Sequence, residues 1–401
     1  MIGFLTYKFP LKTSGAKRRK LERLCHEQCD LYNDALRERI EAWRMCKKSI
    51  TRYDQQKSLT EIRKEFPEWR STPVNLQRGT LGRLDKAYKA FFKRGGFPKF
   101  KRRDEWNTLE FIEFSGVQLS EDKLVSKAFG SLRINMHRPI EGDIKSVKLT
   151  LQGGRWYVCF CCAVEAKEPV VVSNPVGLDA GIKTLVATSD GQFIENPKFG
   201  EAGQRKLRKA QRKLSRAKRG SARRKKTRLA VSRVYRKIAS KRRNHQHKIT
   251  AALVRQYDFI AVEALTTKNM LRNHRLSRAI ADASWRQLMD MLEYKCALAG
   301  HGFARVDPRN TSQACSECGL IVKKDLSVRR HECECGYSED RDVNAARNIL
   351  GKAIEDGRVL AGAKVGGCAV LSPRNTAGSP SGRHPPLVWS PRQYPTWKAL
   401  V

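Results

Sequence analysis

Between Val306 and Leu350 the chain carries two short cysteine pairs, CSECG and CECG, and then at once DRDVNAARNIL. Cys315 and Cys318 form a C-x-x-C pair, Cys333 and Cys335 a C-x-C pair, and each closes on a glycine. Glycine permits a tight turn in which backbone N–H groups reach the sulfurs. Four thiolates at the corners of a tetrahedron make a closed, structural zinc site with no position left for a substrate. C-x-C is less common than C-x-x-C, which leaves His331 as an alternative ligand. Asp342 opens the helix after the knuckle, with Asp340 as its local competitor.

A knuckle inserted just before a catalytic acid calls for two further acids upstream, each on an apolar strand. Val176-Gly-Leu-Asp179-Ala-Gly-Ile supplies one and Asp258 to Leu265 (DFIAVEAL) supplies the other, Glu263. A lone carboxylate buried in such a strand costs several kcal/mol unless it is paired or metal-bound. Gly177 and Gly181 beside Asp179 point to close backbone approach. Three carboxylates brought together hold two divalent cations, which clamp the attacking and leaving oxygens of a phosphodiester. Hard oxygen ligands suit Mg²⁺ or Mn²⁺.

Charge names the substrate class. Lys and Arg total 80 against 40 acids in 401 residues, a formal +40. A globular chain with that charge repels itself, and its expected partner is a polyanion that stays bound. Nucleic acid comes first and an anionic membrane second. No apolar run approaches the roughly eighteen residues of a spanning helix, and no signal peptide opens the chain, so the expected location is the prokaryotic cytosol or nucleoid. Of 12 cysteines, Cys25, Cys29, Cys46, Cys159, Cys161, Cys162 and Cys296 lack ligand spacing and read as buried thiols.

Period and punctuation give a multidomain α+β chain. Residues 1–10 and 105–167 read as a small antiparallel β-barrel, with a basic helical bundle over 11–104 inserted after its first strand. Pro169 to Pro175 reads as a linker. A mixed α/β nuclease domain follows over 174–310 and 337–356, interrupted by the zinc knuckle at 311–336. The tail over 357–401, rich in Gly, Pro, Ser and Arg, reads as disordered.

Residues 203–249 read as a helical hairpin with a thin apolar stripe. From Arg205 to Arg243 there is no acid. A run so long and single-signed suits the tracking of a nucleic-acid backbone, which positions rather than reads sequence. Its candidates are Arg208, Lys209, Arg212, Lys213, Arg216, Arg223, Arg224, Lys225 and Lys226. Lys99, Lys101 and Arg102 join them from FPKFKRR, a basic segment with aromatics interleaved.

VGLDAGIKTLVATSDG, the basic insert, DFIAVEAL, DPRNTSQACSECG and CGYSEDRDVNAARNIL together resemble the RuvC-like nuclease half of the transposon-encoded TnpB family, which is related to the compact type V CRISPR effectors. The likeness spans about residues 1–352 and is diffuse in the N-terminal half. It implies an RNase H-like (RuvC) nuclease domain and an RNA-guided, metal-dependent DNA endonuclease. The partners would be a guide RNA made from the transposon end and a double-stranded DNA target recognised beside a short motif, with one protein per guide. By motif, Asp179, Glu263 and Asp342 become the Mg²⁺-holding triad, and Cys315, Cys318, Cys333 and Cys335 the zinc ligands. The rivals are a DNA-strand-transfer transposase and a non-cleaving DNA-binding repressor on the same fold.

Overall fold

The computed structural model describes residues 2–325 and 328–357. The disordered tail expected over 357–401 lies outside them, apart from its first residue. Strand β1 (Ile2–Lys12) opens the chain, and α1 (Gly15–Cys46), α2 (Arg52–Glu65) and α3 (Val74–Arg94) follow. Ser14 caps α1 by accepting from Lys17 N, and the face Leu21, Leu24, Cys25, Cys29, Tyr32, Leu36 is buried at the three- and four-residue spacing of one helix side. Thr51 and Asp54 close a capping box on α2, and α3 ends at Gly95, whose φ of 77° suits glycine.

β1 reaches Lys12, two residues past its expected end. Six strands complete its sheet: β2 (Thr108–Phe111), β3 (Gln118–Ser120), β4 (Lys123–Ser126), β5 (Gly130–Ile134), β6 (Asp143–Gln152) and β7 (Arg155–Glu165). Their order is β2-β6-β7-β1-β5-β4-β3, and all pairs are antiparallel. β1 pairs with β7 from Ile2 to Pro10 and with β5 at Leu11 and Lys12, so one long strand serves two neighbours in succession. The end strands β2 and β3 are not paired with each other. The expected barrel is therefore an open sheet: β3 and β4, of three and four residues, are too short to close a ring. One core joins this sheet to the helices, through Phe9, Leu21, Leu36, Leu76, Leu84, Phe111, Trp156 and Phe160.

The segment expected to be a linker is tied down instead. The backbone N–H groups of Ser173 and Asn174 donate to the Asp258 carboxylate, and Val172 is buried. Next come β8 (Pro175–Asp179), β9 (Thr184–Thr188), β10 (Phe193–Glu195), α4 (Phe199–Ser215), α5 (Ala222–Gln256), β11 (Phe259–Glu263), α6 (Thr267–Met270), α7 (Ser277–Ala283), α8 (Trp285–Ala299) and β12 (Gly302–Val306). The knuckle contributes β13 (Arg330–Glu332) and β14 (Ser338–Asp340), and α9 (Arg341–Glu355) follows.

The second sheet runs β10-β9-β8-β11-β12, with β8, β11 and β12 parallel and β9 and β10 antiparallel. Alternation splits its side chains between two cores. Val176, Leu178, Ile260 and Val262 meet α5 and α8 through Leu253, Leu288 and Leu292. Phe259, Ala261, Ala304 and Val306 meet α9 through Ile349 and Ala353. A mixed sheet between helices results, with α9 on the face of Phe259 and Ala261. Among the described residues no helix is long and apolar enough to cross a membrane.

Candidate functional site: three carboxylates beside a four-cysteine knuckle

Asp179 and Glu263 are the last residues of β8 and β11, two adjacent parallel strands in which Val262 pairs with Leu178. The register carries one step on to Glu263 and Asp179, placing both acids on one face of the sheet at its carboxyl edge. In open α/β sheets this is where a crevice forms. The face is that of Gly177, two residues before Asp179. A Cβ on Gly177 would stand 2.0 Å from the carbonyl oxygen of Ala346 in α9, so only glycine admits the helix at this distance. From Gly177 to Asp179 a strand rises about 6.6 Å. From Ala346 back to Asp342 a helix rises about 6 Å. The contact at Gly177 thus brings the first turn of α9, with Asp342, level with Asp179. Gly181, the other flanking glycine, packs against its own turn at Thr184 O.

The electrostatics record the meeting. Asp179 is pushed up to about 8, by burial first and then by Glu263 and Asp342, with Arg341 pulling the other way. Glu263 is also raised by burial, against the Thr311 hydroxyl and the Lys352 ammonium, which favour its charged form. The competition between Asp340 and Asp342 resolves into two jobs. Asp340 is the N-cap of α9 and accepts from Asp342 N at 2.8 Å. The Asp342 carboxylate takes the Arg341 guanidinium at 3.1 Å.

Four thiols converge nearby. Cys315 and Cys335 lie 3.8 Å apart and Cys318 and Cys333 3.5 Å apart. A regular tetrahedron of Zn–S bonds has sulfur–sulfur edges of about 3.8 Å, so the donor set fits zinc, the C-x-C pair included. Gly319 and Gly336, with φ of 76° and 87°, donate to Cys315 O and Cys333 O and close the two turns. Burial raises the Cys315 thiol, yet the backbone N–H groups of Cys318 and Glu317 and the adjacent thiols hold it down to about 7. Cys335 is pushed up to about 12, the Tyr337 backbone lowering it less than its thiol neighbours raise it. The Cys315 thiolate forms readily while Cys333 and Cys335 resist, as expected where like charges share a site without a cation. Among the described residues this is the one group of three or more His, Cys, Asp or Glu side chains whose ligand atoms all lie within 4.8 Å of one another. The three acids are more widely spread. His331 stays outside the group: its buried ring meets the Lys324 ammonium.

A ladder along α9 joins knuckle to carboxylates, and sequence reasoning missed it. Asn344 Nδ2 donates to Ala314 O at 2.7 Å, and its Oδ1 accepts from Ser316 N at 2.9 Å. Asn348 Nδ2 donates to Thr311 O and Ala314 O at 2.8 and 2.7 Å. Lys352 donates to the carbonyls of Asp307 and Arg309. At i, i+4 and i+8, these side chains clamp the strap 307–316 to the helix. The strap delivers Thr311, whose hydroxyl donates to Glu263 Oε1. Polar residues one turn apart on a helix otherwise buried at Val343, Ala346 and Ile349 were the available signal.

The basic candidates divide. Arg208, Lys209, Arg212 and Lys213 on α4, Arg216 just after it, and Arg223, Lys225 and Lys226 on α5 are exposed. Arg224 instead donates to Leu214 O and Ala217 O, closing the turn between the helices. Lys99, Lys101 and Arg102 are exposed, Arg102 against Asp104. Asn33 holds Lys101 by both backbone groups, which leaves Phe97 and Phe100 exposed beside it. Of the thiols expected to be buried, Cys25, Cys29, Cys162 and Cys296 are, and Cys159 and Cys161 are half-buried. Cys46 is exposed because it ends α1 beyond the last buried turn.

Two family models match: "Probable transposase" (OrfB_IS605) over residues 159–274 and "Cas12f1-like, TNB domain" over 285–349. A Streptomyces pristinaespiralis protein named "Putative RNA-guided DNA endonuclease" is 35% identical over 80% of this chain and 82% of its own. "Putative RNA-guided DNA endonuclease InsQ" of Escherichia coli K12 is 31% identical over 88% of this chain and 96% of its own. The mimivirus "TnpB-like protein L79" is 32% identical over 32% of this chain and 26% of its own. Shared over most of both chains, with the matching family models spanning β8, β11 and the start of α9, this likeness makes the chain a member of the TnpB family of transposon-encoded, RNA-guided nucleases.

Proposed function

We propose that the protein is an RNA-guided DNA endonuclease that cuts at Asp179, Glu263 and Asp342. The observation that carries this is the convergence of three acids from β8, β11 and α9 at one sheet edge, in a chain with a formal +40. Asp179 and Glu263 offer oxygen ligands from neighbouring strands, and Asp342 offers a third from the helix. When bound, two Mg²⁺ or Mn²⁺ ions would activate water and neutralise the leaving oxygen. Thr311 orients the Glu263 carboxylate, and Asp340 caps α9 so that Asp342 is available to the site. Cys315, Cys318, Cys333 and Cys335 would hold one structural Zn²⁺ that fixes the strap carrying Thr311. A guide RNA from the transposon end and duplex target DNA would cover the basic hairpin at 203–249. The sheet of 1–10 and 105–167, with the helical unit of 11–104, would hold the RNA and read the target-adjacent motif. The nuclease domain would comprise 174–310 and 337–356 around the knuckle at 311–336, acting as one protein per guide in the cytosol or nucleoid.

The test is to express the protein from its native locus and sequence the RNA that purifies with it. One dominant RNA, with a constant scaffold and a terminal segment matching DNA beside the gene, is the expected result. Mixed cellular RNA would instead favour a DNA-strand-transfer transposase.

Thr311→Val keeps the side-chain volume and removes the hydroxyl. Loss of a hydrogen bond to a metal-binding carboxylate slows cleavage by about 10- to 100-fold and raises the Mg²⁺ concentration needed for half-maximal rate. A magnesium titration of the cutting rate checks it, and an unchanged titration would remove Thr311 from the site.

The raised Asp179 sets a pH dependence. The folded carboxyl keeps its proton up to about 8, whereas in the unfolded chain it ionises near about 3.9. Between these values the folded state binds the extra proton, so its stabilising effect is complete below the lower value and is lost as pH rises through the upper. Metal-free protein should therefore lose thermal stability from about pH 6 to about pH 8, less so in Asp179→Asn, and added Mg²⁺ should restore more at the higher pH. Differential scanning fluorimetry reads both, and parallel pH profiles for the two proteins would contradict the shift.

A further inference from the structure

Away from the carboxylates, a cavity of about 340 Å³ opens where the N-terminal sheet, the start of α1 and helix α5 meet; Arg18, Arg155, Arg233 and Arg236 line it, with Thr13, Gly153 and Gly154. No acid is among its lining residues, and none of the four arginines forms an ion pair with a described carboxylate. The turn that builds it is constrained. Gln152 and Arg155 pair across β6 and β7, and the two residues between them have φ of 56° and 75°, a hairpin turn that demands positive φ at both. The absence of side chains there also lets α5 dock. A Cβ on Gly153 would stand 2.8 Å from Arg236 Nε, and one on Gly154 would stand 2.9 Å from Leu229 Cδ1.

Two of the arginines are braced. Arg18 Nη2 donates to Gly154 O at 2.9 Å, and Arg236 Nη1 donates to the Tyr157 hydroxyl. Arg236 Nε is buried with no hydrogen-bond partner. Arg155 and Arg233 are exposed at the rim. Lys8 at the same edge is held below the usual range, by burial first and also by Arg243 and Arg236. α1 brings its amino end here with no acid in its first turn, adding positive potential. Four guanidiniums around one void repel one another unless an anion sits among them, and their planar forks match phosphate oxygens.

We propose that this cavity seats one phosphodiester group of a bound nucleic-acid strand, gripped by Arg18, Arg155, Arg233 and Arg236. The seat would join three segments that are distant in sequence, so an occupied phosphate would fasten α5 to the N-terminal sheet. It rests on the nucleic-acid reading above and adds to the exposed arginines and lysines of the α4–α5 hairpin a fixed point of register.

The test uses the full chain and two fluorescein-labelled probes of one sequence, a single-stranded RNA and a duplex DNA. Affinity for each is measured over a range of salt for the wild type, R155A/R233A, R155K/R233K and a charge-matched control, R44A/K48A, at the far end of α1. Arg155 and Arg233 are surface residues outside the folded core, so their removal leaves the fold intact. The alanine pair is expected to bind one probe about tenfold more weakly, with the slope of log affinity against log salt shallower by about one. The lysine pair should fall between, since it keeps the charge and loses the fork. A loss confined to the RNA probe makes the phosphate one of RNA, and a loss confined to the duplex makes it one of DNA. If neither probe loses affinity, or the control loses as much, the cavity is not a phosphate seat. Guided cleavage by the wild type is measured in parallel. Its failure with the affinity loss intact would overturn the proposed function and leave the seat standing.

Discussion

Asp179→Asn is expected to leave RNA and target binding unchanged and to lower DNA cleavage by at least about a thousandfold, the scale of losing a group on which the chemistry depends. Asparagine matches aspartate in size, so the contact of α9 with Gly177 and the register of β8 with β11 stay in place. It lacks the charge that a divalent ion needs in a site already short of hydration. The raised state of the native carboxyl, about 8, reflects how unfavourable its ionisation is when it is buried beside Glu263 and Asp342. Each bound cation reverses that sign. Binding isotherms and single-turnover cleavage on one preparation separate the two effects. A variant that cuts at the wild-type rate would remove Asp179 from the chemistry, and one that loses RNA binding would place it in the scaffold.

Cys315→Ser should remove the zinc and, with it, the ordered strap. Cys315 is 2% exposed, its backbone N–H donates to Leu320 O, and the next residue is held by Asn344. In small zinc modules the metal contributes about 10–16 kcal/mol of apparent binding energy, which is folding energy. A serine oxygen replaces a thiolate poorly, and the three remaining sulfurs cannot close the tetrahedron. The strap from residue 307 to 316 then depends on Asn344, Asn348 and Lys352 alone, and Thr311 no longer fixes Glu263. The expected result is a fall from one zinc per chain to none, by elemental analysis, together with loss of cutting. The E317Q variant beside it should keep both. Full activity without zinc would show the ladder on α9 to be sufficient by itself.

The meeting of Asp179 and Glu263 at one sheet edge was legible because carboxylates are conspicuous in apolar strands such as Val-Gly-Leu-Asp and Ile-Ala-Val-Glu. Gly177 hinted at close approach, and α9 supplies what approaches. The cysteine spacing was legible for the same reason, since thiolate pairs closed by glycine have one common use. The partners were not. Thr311 meets Glu263 across 48 residues of sequence, and nothing local in DPRNTSQ marks which of its polar groups turns inward. Asp340 and Asp342 are alike in sequence, and only the start of α9 decides which one caps. The open sheet escaped for a related reason. Alternation marks Val147, Leu149, Trp156 and Val158 as inward-facing, but closure depends on whether the short strands at Gln118 and Lys123 reach β2, a question of length and register between segments. Arg18, Arg155, Arg233 and Arg236 come from three distant segments, so their cluster was invisible until the turn at Gly153 met α5.

The most direct test is to rewrite the guide. The terminal segment of the co-purified RNA is replaced by a new sequence, and a plasmid carrying the matching site beside the native target-adjacent motif is offered with Mg²⁺. The cut is expected to move to the new site, to be abolished by Asp179→Asn, and to spare the old site. A cut that stays at the old site whatever the RNA says would mean that the protein itself reads the DNA, and the RNA-guided account would be wrong.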